Sequence, residues 1–506
     1  MGVLDGLEPQ RVFHYFEEIS RIPHGSGNVK QISDYLKKFA ADRGLECIQD
    51  ELFNIIIIKE ATTGYEQEEP YILQGHMDMV VVSAPDCDID MTKDPLRLCV
   101  ENGRIHAQGT SLGGDDGIAV AYALALLEAD NISHPRLEVI LTVDEETGME
   151  GAKGIDLSML RGKRLINLDQ EEEGVVITSC AGGARVDVSI PLQEDKAEEA
   201  AQQSATGQDR QLLQVKITGL LGGHSGIEIN KGRGNANCLL GRILKGMSER
   251  FTIGLVTMHG GLADNAIPRE AEATISVDIT CSEAAIAYAQ EEAGRIKQEL
   301  GDKDPAFAVS CNAVNQQEIL GGKEGSEAGR EMKPHDAAST MQALTCLCNL
   351  PNGVIAMSRD LEGLVQTSLN LGVATLEQGA LKLSYAVRSS VDEDREALCR
   401  QMQEIARETG AVAEVRNTYT GWAYRTESPL RDIIVGIYVE MYGKKPVLEA
   451  IHAGVECGIL ASKIPNLDCV SIGPDMADVH TAQESLDIAS VQRMWEYLQA
   501  VLAHKC

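Results

Sequence analysis

The run Leu137-Glu138-Val139-Ile140-Leu141-Thr142-Val143 is short and largely apolar, and it stops at Asp144-Glu145-Glu146-Thr147-Gly148. A run of this length suits a strand better than a helix, and its composition suits burial on both faces. Further strands are predicted over Asn54–Lys59 and Tyr71–Leu73 before it and over Arg164–Leu168 after it. Apolar positions spaced by three and four predict amphipathic helices over residues 8–20 and 27–44, and Ile118–Glu128 reads as a strongly apolar helix behind a Gly-rich turn. Short apolar strands separated by helices predict an α/β sheet covered on both faces.

The texture changes near residue 184. Ala184–Ile190 alternates apolar and polar residues, as a strand with one wet face does. An acidic, Gln- and Ala-rich stretch at 193–210 reads as a surface excursion. Strands are then expected over Leu212–Thr218, Thr252–Met258 and Ala271–Ile279, with helices near 234–248 and 283–299. A second series follows: the strand Ala306–Cys311, a helix near 336–349, strands near 353–358, 364–374 and 380–388, a helix near 393–408 and the strand Ala411–Val415. Two similar series suggest a duplicated α+β insertion. From about 420 the α/β texture returns, with the helix Leu430–Tyr442, strands Val447–Ile451 and Leu467–Ile472, and a last helix near 488–503. The simplest layout is one α/β domain split by an insertion: 1–183, then 184–419 inserted, then 420–506.

With 506 residues the chain is too long for one core. A net charge of −32 argues against nucleic acid and anionic membranes as partners. Thirteen scattered cysteines without a C-x-x-C pair argue against a zinc ribbon and fit a reducing, cytoplasmic setting. No apolar run reaches the ~18 residues of a membrane helix.

The chemistry-bearing residues stand at strand ends and in Gly-rich turns. Adjacent acidic residues are mostly solvated surface, but on an extended segment Glu145 and Glu146 would face opposite ways, one to hold a metal and one to move a proton. In His76-Met77-Asp78, at another strand end, the Asp78 carboxylate is placed to bond the free ring nitrogen of His76. The turn Gly113-Gly114-Asp115-Asp116-Gly117 precedes the apolar helix, where Asp116 suits an N-cap and leaves Asp115 free. Such a turn can also cradle phosphate, but two carboxylates in it argue for a cation. Asp169 closes a strand, and His480 lies just past 467–472. Two histidines with Asp115, Glu146 and Asp169 suit two borderline metals sharing one aspartate; calcium would prefer oxygen alone.

These motifs, in this order and together with Gly223-His224-Ser225-Gly226, resemble the dinuclear zinc metallopeptidases of family M20. Ile451-His452-Ala453-Gly454-Val455-Glu456-Cys457-Gly458, Cys180-Ala181-Gly182-Gly183 and the long insertion resemble its aminoacyl-histidine dipeptidase branch, which includes cytosolic non-specific dipeptidases. The resemblance implies a zinc-peptidase catalytic domain with a mixed sheet, interrupted by an α+β lid, and two Zn2+ per chain, with Mn2+ or Co2+ as substitutes. It implies that Asp115 bridges the metals, His76 and Asp169 complete one site, and Glu146 and His480 the other. Asp78 would support His76, and Glu145 would be the general base. The bond Asp115–Asp116 is expected to be cis. His224 would steady the oxyanion, Asn265 and Arg388 would hold the substrate's C-terminal end, and Gly454 would offer backbone contacts. No role is assigned to His452 or Glu456, and Asp116 stands where relatives often carry Asn. The implied activity is hydrolysis of dipeptides with a free N-terminus, of the Xaa-His and beta-Ala-His (carnosine) type, with a homodimer through the lid as one assembly. The alternative on the same scaffold is a deacylase or carboxypeptidase acting on N-acyl amino acids.

Overall fold

The computed structural model describes residues 2–195, 210–315, 333–359, 361 and 363–505. Residues 196–209 of the acidic stretch lie outside the described residues. The chain divides into two compact units, Met1–Cys180 with Trp422–Cys506, and Ala181–Gly421. Within the first unit the chain leaves and returns at one point: Cys180 and Trp422 form a two-way backbone bridge, at 2.9 and 3.0 Å.

The first unit is built on an eight-stranded mixed sheet in the order Glu46–Gln49, Ile55–Lys59, Leu137–Thr142, Tyr71–His76, Arg164–Asn167, Asp468–Ser471, Val175–Cys180, Val447–Ile451. Its four middle strands, from Leu137–Thr142 to Asp468–Ser471, run parallel. Alternation assigns the two faces. Ile55, Ile57, Leu73, Val139, Leu141 and Ile166 enter one core with helices Gln10–Ile19, Lys30–Asp42, Gly114–Glu128, Pro429–Tyr442 and Ile488–Ala503. The intervening Ile56, Ile58, Ile72, Ile140 and Leu165 are buried as well. Short helices Glu150–Gly154 and Glu456–Lys463 pack together, the second also against the strand Asp468–Ser471. Strands with apolar residues on both faces cannot sit at a water boundary, which is why the sheet is covered twice. A separate four-stranded sheet joins Leu98–Glu101 and Arg104–Ala107 to Met476–Ala477 and Ser485–Asp487.

Among its described residues the second unit holds a nine-stranded antiparallel sheet and the short two-stranded pair Gly223–His224 with Ala266–Ile267. The two β/α series expected from the sequence exchange strands in the larger sheet: Ala308–Val314, which opens the second, pairs with Arg210–Thr218 of the first, and Gly182–Pro191 lies between Ala380–Ser389 and Val412–Tyr419 of the second, while His259 with Thr375 and Gly260 with Ala374 join the two halves of the sheet. Four helices, Ala236–Ser248, Ser282–Leu300, Ala337–Asn349 and Asp392–Glu408, share a core with alternate strand residues such as Leu213, Val215, Ile217, Val186 and Val188. One face of this sheet is therefore dry and the other polar, in contrast to the first unit. Among the described residues no helix is long and apolar enough to cross a membrane.

Candidate metal centre

Parallel neighbours end at the same edge of a sheet, and ligands of open α/β sheets collect at that edge. His76 ends the strand Tyr71–His76 in register with Thr142, and Gln74 is in register with Asn167. Glu145 and Glu146 follow Thr142, Asp169 follows Asn167, and His480 lies between Met476–Ala477 and Ser485–Asp487. The fold thus gathers side chains from far-apart sequence positions. Asp115 presents Oδ1 3.1 Å from His76 Nε2 and Oδ2 3.1 Å from His480 Nε2. Glu146 Oε1 is 2.8 Å from His480 Nε2, and Asp169 Oδ1 is 3.5 Å from His76 Nε2. Three groups bring candidate ligand atoms within 4.8 Å of one another: His76, Asp116 and Asp169; His76, Glu145 and Glu146; Asp115, Glu146 and His480.

Three details differ from the sequence reading. The strand stops at Thr142, Asp144 has φ of 54°, and Glu145 and Glu146 sit in a turn. A turn does not separate neighbours as a strand does, so both carboxylates reach the group around His76. Asp116 is not the helix cap. Among the described residues no side chain caps that end, and Asp116 Oδ2 instead accepts the backbone N–H of His76 at 3.2 Å. The Nδ1 of His76 lies 2.9 Å from the backbone carbonyl of Asp78 and 3.5 Å from its carboxylate, so the carbonyl takes the closer share in fixing the tautomer. The Asp78 carboxylate also accepts the Glu145 N–H at 3.1 Å and the Ser26 hydroxyl at 2.8 Å. It thereby ties the turn carrying Glu145 to the strand end carrying His76. The Asp115–Asp116 bond is cis.

The electrostatics are those of crowded carboxylates. Burial opposes a charge on His76, but Asp115, Asp169 and Asp78 overcome it and hold its pKa well above the usual range. Asp115 and Glu146 push His480 up to about 10. Burial, reinforced by the charge on Asp115, pushes Asp169 up to about 8. Burial also raises Glu145, with Asp169, Glu456 and Glu146 adding to it, and it raises Asp116, with Asp169 and Asp115 adding. Asp115 moves the other way: burial is outweighed by His480 and His76, which hold it well below the carboxylate range. Among the described residues no Lys or Arg forms an ion pair with Asp78, Asp115, Asp116, Glu145, Glu146 or Asp169. Acidic groups confined this way, with two imidazole nitrogens among them, fit divalent cations of the zinc class, which accept nitrogen and oxygen together.

Gln74, Thr142 and Glu484 organise this edge and were not singled out from the sequence, and Glu456, singled out without a role, joins them. Gln74 bonds Asn167 at 2.7 Å and Glu456 at 2.5 Å, and the Thr142 hydroxyl donates to Glu456 at 2.6 Å. This buried chain crosses the three strand ends that lead to His76, Glu145 and Asp169. Glu456 is fully buried, and burial is the main cause that raises it to about 7. A polar Gln74 inside an apolar strand was the available signal, since buried amides need partners. Glu484 accepts four backbone N–H groups of residues 112–115, and nothing local in the sequence announces it. Gly454 lies half-buried in the loop before the helix Glu456–Lys463.

His224, Asn265 and Arg388 belong to the second unit. The strand Gly223–His224 pairs with Ala266–Ile267, and the Ser225 N–H donates to the Asn265 carbonyl at 2.8 Å. Asn265 itself is exposed. The His224 Nδ1 accepts the N–H groups of Gly226 at 3.2 Å and Ile227 at 3.3 Å. The ring proton is therefore on Nε2, which is left as a donor. Burial, aided by the charge of Arg388, lowers the His224 pKa and keeps the ring neutral. Arg388 is buried, and its Nε has no hydrogen-bond partner among the described residues.

Residues 72–504 match the model of peptidase family M20/M25/M40. The chain belongs to this family. It is 35% identical to the cytosol non-specific dipeptidase of Escherichia coli K12, over 99% of each chain. The aminoacylhistidine dipeptidase of Vibrio alginolyticus has a structure that matches with a TM-score of 0.88 at 34% identity, covering 99% of this chain and 97% of the other. An aminopeptidase PepT from Bacillus cereus, at 16% identity and a TM-score of 0.58 over 98% of each chain, shares the fold.

Proposed function

We propose that this M20 peptidase is a cytoplasmic, metal-dependent dipeptidase acting on dipeptides with a free N-terminus, Xaa-His and beta-Ala-His among them. The observation that carries the reading is the Asp115 carboxylate, with one oxygen 3.1 Å from each of two histidine nitrogens. That is the disposition of a carboxylate shared between two cations, and the names of the two full-length relatives support the substrate class. His76 and Asp169 would hold one Zn2+ with Asp115, and Glu146 and His480 the other.

Bound there, the cations would acidify water towards neutrality and polarise the scissile carbonyl. The remaining work falls to the chain. Glu145, whose carboxylate reaches the group around His76, is placed to take the proton of the attacking water and to return it to the leaving amine. Asp78 holds the Glu145 backbone through its N–H, which fixes where that carboxylate can swing. The neutral His224 offers Nε2–H to the developing oxyanion, with Nδ1 already bonded. Arg388, buried with Nε unpartnered, is suited to the C-terminal carboxylate of a dipeptide. Asn265 and the backbone of Gly454 complete the assignment. On this reading the unit Met1–Cys180 with Trp422–Cys506 is the catalytic domain.

The test is a substrate panel on the zinc- or manganese-loaded protein. Ala-His and carnosine are expected to be hydrolysed and N-acetyl-histidine to be refused. Turnover of N-acetyl-histidine with Ala-His untouched would overturn the reading in favour of a deacylase.

A further inference from the structure

Glu484 is only 3% exposed, and no cationic side chain pairs with it among the described residues. Its partners are all backbone. Oε2 accepts the N–H groups of Leu112 at 2.7 Å and Gly113 at 3.1 Å. Oε1 accepts those of Gly114 at 2.8 Å and Asp115 at 3.3 Å. Four successive N–H groups at a helix start form a ready-made anion site. In many proteins such a nest takes a phosphate; here a carboxylate of the chain itself fills it. The glycines make this approach possible. Gly113 has φ of 67°, and a Cβ on Gly114 would come 3.2 Å from Glu484 Oε1 and from the sulfur of Met476.

The placement gives the contact its meaning. The last residue of the nest is Asp115, whose two oxygens face His76 and His480. Glu484 stands four positions after His480, so one short segment supplies a candidate ligand and also grips the turn that presents the shared aspartate. We infer that Glu484 is a positioning residue of the metal centre, filling the N–H nest of residues 112–115 and so fixing Asp115 relative to His480. The inference rests on the reading of Asp115 and His480 as metal ligands. Without Glu484 the turn loses four charge-assisted hydrogen bonds, and its N–H groups are open to any small carboxylate from solution.

The experiment uses the full chain and cobalt(II), with binding followed by calorimetry and by the visible spectrum of the bound ion. Glu484→Ala is expected to bind cobalt ~10–100-fold more weakly, the range found when groups supporting a ligand are removed. Acetate in large excess should restore the affinity and the spectrum, while chloride at equal ionic strength should not. Glu484→Gln opposes an amide NH2 to backbone donors; it should bind cobalt weakly, with no acetate rescue because the nest stays filled. This variant decides the matter if Glu484→Ala does not fold. Cobalt affinity and spectrum equal to wild type in either variant, or a loss in Glu484→Ala that acetate leaves unchanged, would overturn the inference. Failure of the ligand reading itself looks different: Asp115→Ala would then bind cobalt as well as wild type does.

Discussion

The two units treat charge in opposite ways. At the sheet edge of the first, carboxylates crowd together with two imidazoles as their ion-pair partners, and burial pushes Asp116, Asp169 and Glu145 towards their neutral forms. Around His224 in the second, the buried group is a cation, Arg388, and its charge helps keep the histidine neutral. The first region holds more carboxylates than imidazoles, and Arg388 in the second has the charge of Asp264 and a Tyr419 hydrogen bond beside it but no direct ion pair among the described residues. Buried charge is tolerated only when paired, so the first calls for cations and the second for an anion. Under the proposed function, the C-terminal carboxylate of a dipeptide is the anion for Arg388.

This contrast makes each region answer to a different probe. The largest rate effect is expected at Glu145. Glu145→Gln should keep its metals and lose about 10²–10⁴-fold in kcat on Ala-His, the span of general acid–base catalysis. Near-normal turnover in that variant would break the division of labour between Glu145 and Glu146. His224→Ala should cost about 10²–10³-fold in kcat, as loss of an oxyanion donor does, with metal content unchanged. Loss of metal from His224→Ala would erase the contrast between the regions. Arg388→Ala should act mainly on KM. A charged hydrogen bond contributes about 1.5–3 kcal/mol, so KM for dipeptides should rise roughly 10–100-fold. The KM for dipeptide amides should change much less. Equal effects on acid and amide would remove the carboxylate from the account.

Much of the first region was legible in the sequence because an apolar strand that stops at an acidic or histidine-bearing motif marks a sheet edge. His76, Glu145, Glu146 and Asp169 were found this way, and the structure brings them together. What misled was the local geometry: the reading kept Glu145 and Glu146 on a strand, whereas a turn begins after Thr142. Asp116 was read as a cap because an acidic residue at a helix start usually is one, but the His76 N–H takes its oxygen. Glu484 was illegible for a physical reason. Its partners are main-chain N–H groups some 370 positions away, which leave no trace in side-chain identity. The strands Leu98–Glu101 and Arg104–Ala107 were missed too, although Asn102-Gly103 between them, with φ of 51° and 80°, is a favoured two-residue hairpin turn; only the pairing of Arg104–Ala107 with Ser485–Asp487 follows from the fold alone. In the second region, His224 and Arg388 carry no local signal that separates them from a loop histidine or a strand-end arginine, and only the family resemblance raised them.

The most direct test of the shared aspartate is a metal count. Wild-type protein and Asp115→Ala would be loaded with zinc, dialysed and measured by elemental analysis. About two equivalents are expected in the wild type, since its donors suffice for two sites, and the variant should lose both. A variant that keeps two equivalents would contradict the account.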